Sequence, residues 1–239
     1  MRLQKKRVAL VIPAYNEGSV IREVVSGLRK TFQKSPYSFQ IIVIDDGSRD
    51  STVQQARLGG AHVISHILNV GSGGATATGL SYAYQKGFDI VTTSDADGQH
   101  RPQDVLEGVN LMARSKADLL IGSRLIDATG MSRIKIFGNS GLSFLTNILF
   151  GISITDSQSG LRVFSKQALA LLKWKTSGYE FCSEMLWRAG QLNLSIHEYP
   201  IKAIYSDYST TKPYRQSNWN AFNIVKSLLK QRILELFNE

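Results

Sequence analysis

The chain has 239 residues, 43% of them hydrophobic, and carries 28 Lys and Arg against 19 Asp and Glu, a formal net charge of +9. That length supports one large globular domain, and Cys182, the only cysteine, excludes an intrachain disulfide and a thiolate metal cage and fits a reducing compartment. No apolar run approaches the ~18 residues of a membrane span, and the excess of cations favours an anionic partner such as a phosphate-bearing small molecule or an anionic membrane surface.

In chain order, Arg7 to Ile12 reads as a buried strand that Pro13 ends. The run is too short for a signal peptide despite the basic residues before it. A helix from about Ser19 to Phe32 follows, with Val20, Val24, Val25 and Leu28 on one face. Phe39 to Ile44 is a second strand, apolar on both faces as parallel strands tend to be. Asp50-Ser51-Thr52 caps a helix to about Leu58, and Ala61 to Ile64 is a short strand. Gly73 to Gly87 is a helix begun by glycines, Ile90 to Ser94 a strand, Pro102 to Ser115 a helix and Asp118 to Ser123 a strand. This alternation predicts an α/β fold, a doubly wound and mostly parallel sheet with helices on both faces.

Beyond it the pattern loosens. Ile126 to Arg133 reads as a loop and Ile134 to Gly151 as an amphipathic helix, whose stripe fits either core burial or a bilayer surface. Leu142 to Ile154 is the nearest thing to a membrane span, too short and broken by polar residues. Leu161 to Phe164 is a strand, and Lys166 to Leu172 and Phe181 to Gly190 are helices. Ser195 to Tyr205 alternates like a strand, with Pro200 placing it at a sheet edge. A last helix, about Asn220 to Leu236, aligns Phe222, Val225, Leu229, Ile233 and Leu236 beside Lys226, Lys230 and Arg232. A bilayer, a second copy of the chain or its own domain would each cover that stripe.

Three acidic segments follow apolar runs: Pro13-Ala14-Tyr15-Asn16-Glu17, Asp45-Asp46-Gly47-Ser48 and Asp95-Ala96-Asp97-Gly98-Gln99-His100. Ligands of open α/β sheets collect at the carboxyl ends of the strands, so the tips are expected to share a crevice. Converging carboxylates repel unless a cation or ligand resolves the repulsion. Asp95 and Asp97 suit Mg²⁺ or Mn²⁺, with Gln99 or His100 as a third ligand; a polar turn before Pro102 is the plain alternative. The Asp45-Asp46 pair is either an acceptor for a base or sugar hydroxyl or a helix-capping turn. Asn69-Val70-Gly71-Ser72-Gly73-Gly74 opens a helix whose amides can approach a phosphate. Glu180 and Glu184, a helical turn apart, read as a second acidic pair or as solvated helix residues. No nucleic-acid recognition signature is present.

Six segments in order carry a resemblance: Ile12-Pro13-Ala14-Tyr15-Asn16-Glu17, Asp45 to Thr52, Asn69-Val70-Gly71, Asp95-Ala96-Asp97-Gly98-Gln99, Gly122-Ser123-Arg124 and Asp156 to Phe164. With these the chain resembles the family 2 glycosyltransferases, in the branch of dolichyl-phosphate mannose synthase and related polyprenyl-phosphate glycosyltransferases. The resemblance implies a GT-A fold over a single domain, with about 1–125 binding a nucleotide-sugar, about 126–215 facing the acceptor, and a terminal helix over about 216–239. It implies that Pro13, Ala14, Tyr15, Glu17 and Asp46 line the nucleoside pocket, with Gly71 and Ala96 also on the donor side. Asp95, Asp97 and Gln99 would hold Mg²⁺ or Mn²⁺ against the diphosphate, and Arg124, Arg133 and Arg162 would meet the acceptor.

The expected reaction is inverting transfer of a hexose from a UDP- or GDP-sugar to a polyprenyl phosphate, at the cytoplasmic face of the membrane. Transfer to a sugar hydroxyl in cell-surface polysaccharide or glycolipid assembly is the alternative, with Asp156 as base. In the lipid-phosphate case Asp156 would instead orient Arg162 or the acceptor. Relatives commonly carry a lysine where this chain has Ser72, and residues 205–212 depart from the family pattern.

Overall fold

A computed structural model describes residues 5–129, 131–202 and 204. The final helix expected near Asn220 lies outside them, as does the end of the strand expected to reach Tyr205. The described chain forms strands β1 (Arg7–Ala14), β2 (Ser38–Asp45), β3 (His62–Ser65), β4 (Ile90–Thr93), β5 (Leu119–Ser123), β6 (Arg162–Ser165) and β7 (Ile196–Pro200). Its helices are α1 (Ile21–Phe32), α2 (Thr52–Gly59), α3 (Ser72–Gln85), α4 (Pro102–Arg114), α5 (Arg133–Phe150), α6 (Lys166–Leu171) and α7 (Phe181–Gln191).

The strands join one seven-stranded sheet in the order β3-β2-β1-β4-β6-β5-β7. All pairs are parallel except those of β6, which runs against both β4 and β5. Alternation along the strands divides the core in two. Val8, Leu10 and Ile12 of β1 face α1, α2 and α4, where Val25, Leu28, Ala56, Val105 and Val109 complete one buried layer. Ala9 and Val11 face the other way, towards Leu80 of α3, Leu169 of α6 and Met185 and Leu186 of α7. Among the described residues no helix is long and apolar enough to cross a membrane.

One local expectation changes and another holds. Pro13 does not end β1, which pairs with β2 through Pro13↔Ile44 and Ala14↔Asp45. The ladder to β4 stops earlier, at Val11↔Thr93, so the proline's missing N–H breaks nothing on that side. Pro200 does lie on an edge strand, as its missing donor requires.

Candidate functional site

The carboxyl ends of β1, β2, β4 and β5 and the first residue of β6 surround a cleft of about 580 Å³. Pro13, Ala14, Tyr15 and Glu17 line it from β1, Asp46 from β2, and Asp95, Ala96, Asp97 and Gln99 from β4. Arg124 and Arg162 form part of the facing wall. The turn after β1 is stitched to the turn after β2: Asn16 N donates to Ser48 Oγ at 2.9 Å, Glu17 N to Thr52 Oγ1 at 2.8 Å and Gly18 N to Asp50 Oδ2 at 2.9 Å.

The acidic turn of β4 supplies its own donors. Gln99 N donates to Asp97 Oδ1 at 3.2 Å and Gln99 Nε2 to Asp97 Oδ2 at 2.6 Å. The side chain expected as a ligand is thus first a partner of Asp97, and its carbonyl oxygen is the atom suited to an ion. His100 does not line the cleft; its Nε2 lies 3.0 Å from Asp95 Oδ2, which places it behind a carboxylate rather than among the ligands. On the other side of Asp95 stands Gly160, where any Cβ would overlap the carboxylate. The donor set fits a hard divalent cation, because it offers carboxylate and amide oxygens and no thiolate. Among the described residues no group of three or more His, Cys, Asp or Glu side chains could cage an ion. A cation here would complete its shell with water and substrate oxygens.

The glycine-rich stretch turns out to be a packing device. Asp46 accepts from Val70 N at 2.9 Å and Gly71 N at 2.8 Å, and its Oδ1 lies 2.8 Å from His66 Nδ1. Gly73 N and Gly74 N donate to Ser177 O at 2.7 and 3.4 Å. The amides of Val70, Gly71, Gly73 and Gly74 are thus engaged by the protein itself, while Gly71 and Ser72 still line the cleft. Gly71 has φ +93°, and a Cβ there would strike the same Ser177 carbonyl. Glu184, read from the sequence either as part of an acidic pair or as a solvated helix residue, is buried and accepts from Lys175 N at 3.0 Å and Thr176 N at 2.9 Å, pinning the loop that presents Ser177. Nothing local in the sequence marks His66 or Ser177 for these tasks, since each meets its partner only after the sheet has formed.

On the facing wall, Arg124 is held by Asp156: Nε to Oδ2 at 2.7 Å and Nη2 to Oδ1 at 2.8 Å. Asp156 is wholly buried, does not line the cleft, and orients Arg124 rather than Arg162. Glu198 of β7 fixes the Asp156 loop in turn, accepting from Thr155 N at 2.8 Å and Asp156 N at 3.1 Å. Arg162 is almost fully buried and donates to Ser159 O, Ser157 O and Met185 Sδ, so it braces the loop from Ser157 to Gly160. Arg133 is exposed at the start of α5 and stands outside the cleft; Lys135 and Asn139, a turn apart on that helix, line it instead. Cys182 also lines the cleft, and burial, aided by the nearby Asp95, holds its thiol above the ordinary value against the opposing pull of Arg162 and Arg124.

Helix α5 is inside out. Its buried residues are Ser143 and Thr146, bonded to Ser157 and Ser183, whereas Ile134 and Phe137 are 86% and 84% exposed and Phe144 and Ile148 are also bare. These apolar positions share one stripe at helical spacing. The core-burial reading of this stripe is overturned. Four exposed apolar side chains on one helix face are the kind of surface that docking onto a partner or a bilayer uses.

The chain is similar to known proteins in sequence and in fold. The family described as Glycosyl transferase family 2 matches residues 9–172. A UDP-N-acetylglucosamine–dolichyl-phosphate N-acetylglucosaminyltransferase of Methanococcus voltae is 40% identical over 229 residues, 87% of this chain and 89% of that protein. An undecaprenyl-phosphate mannosyltransferase of Micrococcus luteus is 30% identical over 221 residues, 86% of this chain and 87% of that protein. Among solved structures, glucosyl-3-phosphoglycerate synthase from Mycobacterium tuberculosis, in complex with Mn²⁺, uridine diphosphate and phosphoglyceric acid, matches with a TM-score of 0.74 at 21% identity. That match covers 95% of this chain and 78% of that one. It supports the GT-A fold expected from the sequence.

Proposed function

The chain belongs to glycosyl transferase family 2, and from that premise we propose that it moves a hexose from a nucleotide-diphosphate sugar to a polyprenyl phosphate, with inversion, at the cytoplasmic membrane face. The observation that carries this reading is helix α5. One of its faces brings Lys135 and Asn139 into the cleft, and another holds Ile134, Phe137, Phe144 and Ile148 out of the protein. A lipid phosphate needs both at once, a cation for its head and an apolar surface where its tail meets the bilayer. The names of the two relatives point the same way.

In this mechanism Asp95 and Asp97, with the carbonyl oxygen of Gln99, would hold Mg²⁺ or Mn²⁺. Such an ion supplies neutralisation of the departing diphosphate. The walls from β1 and β2 seat the nucleoside. Arg124, fixed by Asp156, and Lys135 position the acceptor phosphate. One phosphate oxygen forms the bond to the anomeric carbon as the bond from that carbon to the donor diphosphate breaks. The phosphate is already anionic near neutral pH, so no base must remove a proton. Positioning then carries much of the rate. A sugar hydroxyl would need a base in the cleft, and Asp156, buried with both oxygens on Arg124, is poorly placed for that duty. The test is a panel of UDP- and GDP-sugars with Mn²⁺ against a short polyprenyl phosphate. Labelled sugar on the lipid supports the proposal, and transfer only to oligosaccharide hydroxyls overturns it.

A further inference from the structure

The two carboxylates of the β4 turn are partnered differently. Gln99, the donor to Asp97, lines the cleft beside it. His100, beside Asp95, is enclosed: its side chain is 1% exposed against 44% for that of Asp95. Only one ring nitrogen has a partner. Nε2 meets Asp95 Oδ2 at 3.0 Å, and Nδ1 is buried without a hydrogen bond. An enclosed polar atom with no partner is a cost that an apolar side chain of similar size would escape. The imidazole's contribution here therefore lies in Nε2, and the bonding pattern assigns the ring proton to that atom.

The surroundings of Asp95 indicate what the contact achieves. Oδ2 is tied to His100, and Oδ1 lies against Gly160, where a Cβ would overlap it. Gly160 is itself fixed, since its carbonyl accepts from Thr93 Oγ1 at 2.8 Å, at the end of β4. The carboxylate is thus clamped between an imidazole and a bare Cα before any ion arrives. We propose that His100 is the positioning residue for Asp95, holding one oxygen so that the carboxylate meets a divalent cation already oriented. Outer partners of this kind raise affinity by removing the freedom a ligand would otherwise lose on binding. The inference rests on the metal role assigned to Asp95 under the proposed function.

The test reads metal binding directly. Free Mn²⁺ is titrated by electron paramagnetic resonance against the full-length protein with UDP present, for wild type, His100→Leu and His100→Gln. Removal of the donor in His100→Leu is expected to weaken Mn²⁺ binding by about 10- to 100-fold. His100→Gln, whose amide nitrogen can reach the position of Nε2, is expected to recover most of the loss. In transfer assays the Mn²⁺ concentration for half-activation rises in His100→Leu, while kcat at saturating Mn²⁺ stays near wild type. A folded His100→Leu protein that binds Mn²⁺ within about twofold of wild type overturns the inference and leaves the metal site standing. A wild-type protein that takes up no Mn²⁺ with UDP removes the metal reading and this inference with it. Should His100→Leu fail to fold, His100→Asn decides the matter, being too short to reach Asp95: unchanged Mn²⁺ affinity in it overturns the proposal.

Discussion

Asp156 grips Arg124 through both carboxylate oxygens, and the Arg124 backbone N–H adds a third bond to Oδ2 at 3.1 Å. The acid is wholly buried, while the guanidinium reaches the cleft. The pair therefore turns a buried charge into an aimed one.

Breaking such a pair from one side leaves a buried charge poorly compensated, at about 3–5 kcal/mol. Asp156→Asn is expected to lower the melting temperature by roughly 6–12 °C. It should also raise KM for the acceptor more than it lowers kcat. The acid limb of the pH–rate profile is expected to persist. Its disappearance in a variant of unchanged stability would assign Asp156 as a base.

Asp97→Ala removes one of the oxygen-bearing side chains of the β4 turn without touching either core layer. Transfer is expected to fall by more than about a hundredfold with the far-ultraviolet spectrum unchanged. Chelation by EDTA should do the same to wild type, and added Mn²⁺ should restore it. Full activity of purified Asp97→Ala would refute the metal role.

The bare face of α5 predicts a separation of binding from folding. Phe137→Ser with Phe144→Ser should leave the melting temperature close to wild type, because neither ring is buried. Transfer of each ring out of water is worth about 1.5–3 kcal/mol. Binding to vesicles of phosphatidylglycerol and phosphatidylcholine should therefore weaken by about a hundredfold or more, as read by co-sedimentation. Unchanged sedimentation would locate the membrane contact elsewhere.

Asp50 links acid stability to the site. Partial burial alone would raise its pKa, but hydrogen bonds from Thr52 and from Gly18 N hold it below the ordinary 3.8. A depressed carboxylate stabilises the fold above its unfolded value and loses that contribution as pH falls through the folded one. The melting-temperature gap between wild type and Asp50→Asn should be widest near about pH 6 and close below pH 3.8. A gap that does not change with pH would show that the charge is irrelevant there.

The order of elements was legible in the sequence because periodicity and strand-end chemistry are local. Strand β6 illustrates where that stops: its apolar run is visible, but its direction depends on which neighbours it pairs with. Asp95 and Asp97 could be read from their spacing after a strand. Lys135 could not be preferred over Arg133, since a difference of two residues on a helix shows only once its packed face is known. The stripe of α5 was visible as a pattern, yet pattern alone does not tell an inward face from an outward one. The partners of Asp46 lie 20 to 25 residues away, and no spacing rule connects them.

Because β6 runs backwards, its first residue lies beside the end of β5, with Ile121 opposite Arg162 and Gly122 N donating to Leu161 O at 2.9 Å. Residues 124–161 consequently depart from the sheet and rejoin it at adjoining points. The excursion is a cassette with both hinges in one place. On the proposed function, length changes between Arg124 and Asp156 are where the acceptor side would be remodelled, whereas Gly160, set against Asp95 and tied to Thr93, has to keep its place for the aspartate-bearing strand to keep its ligands.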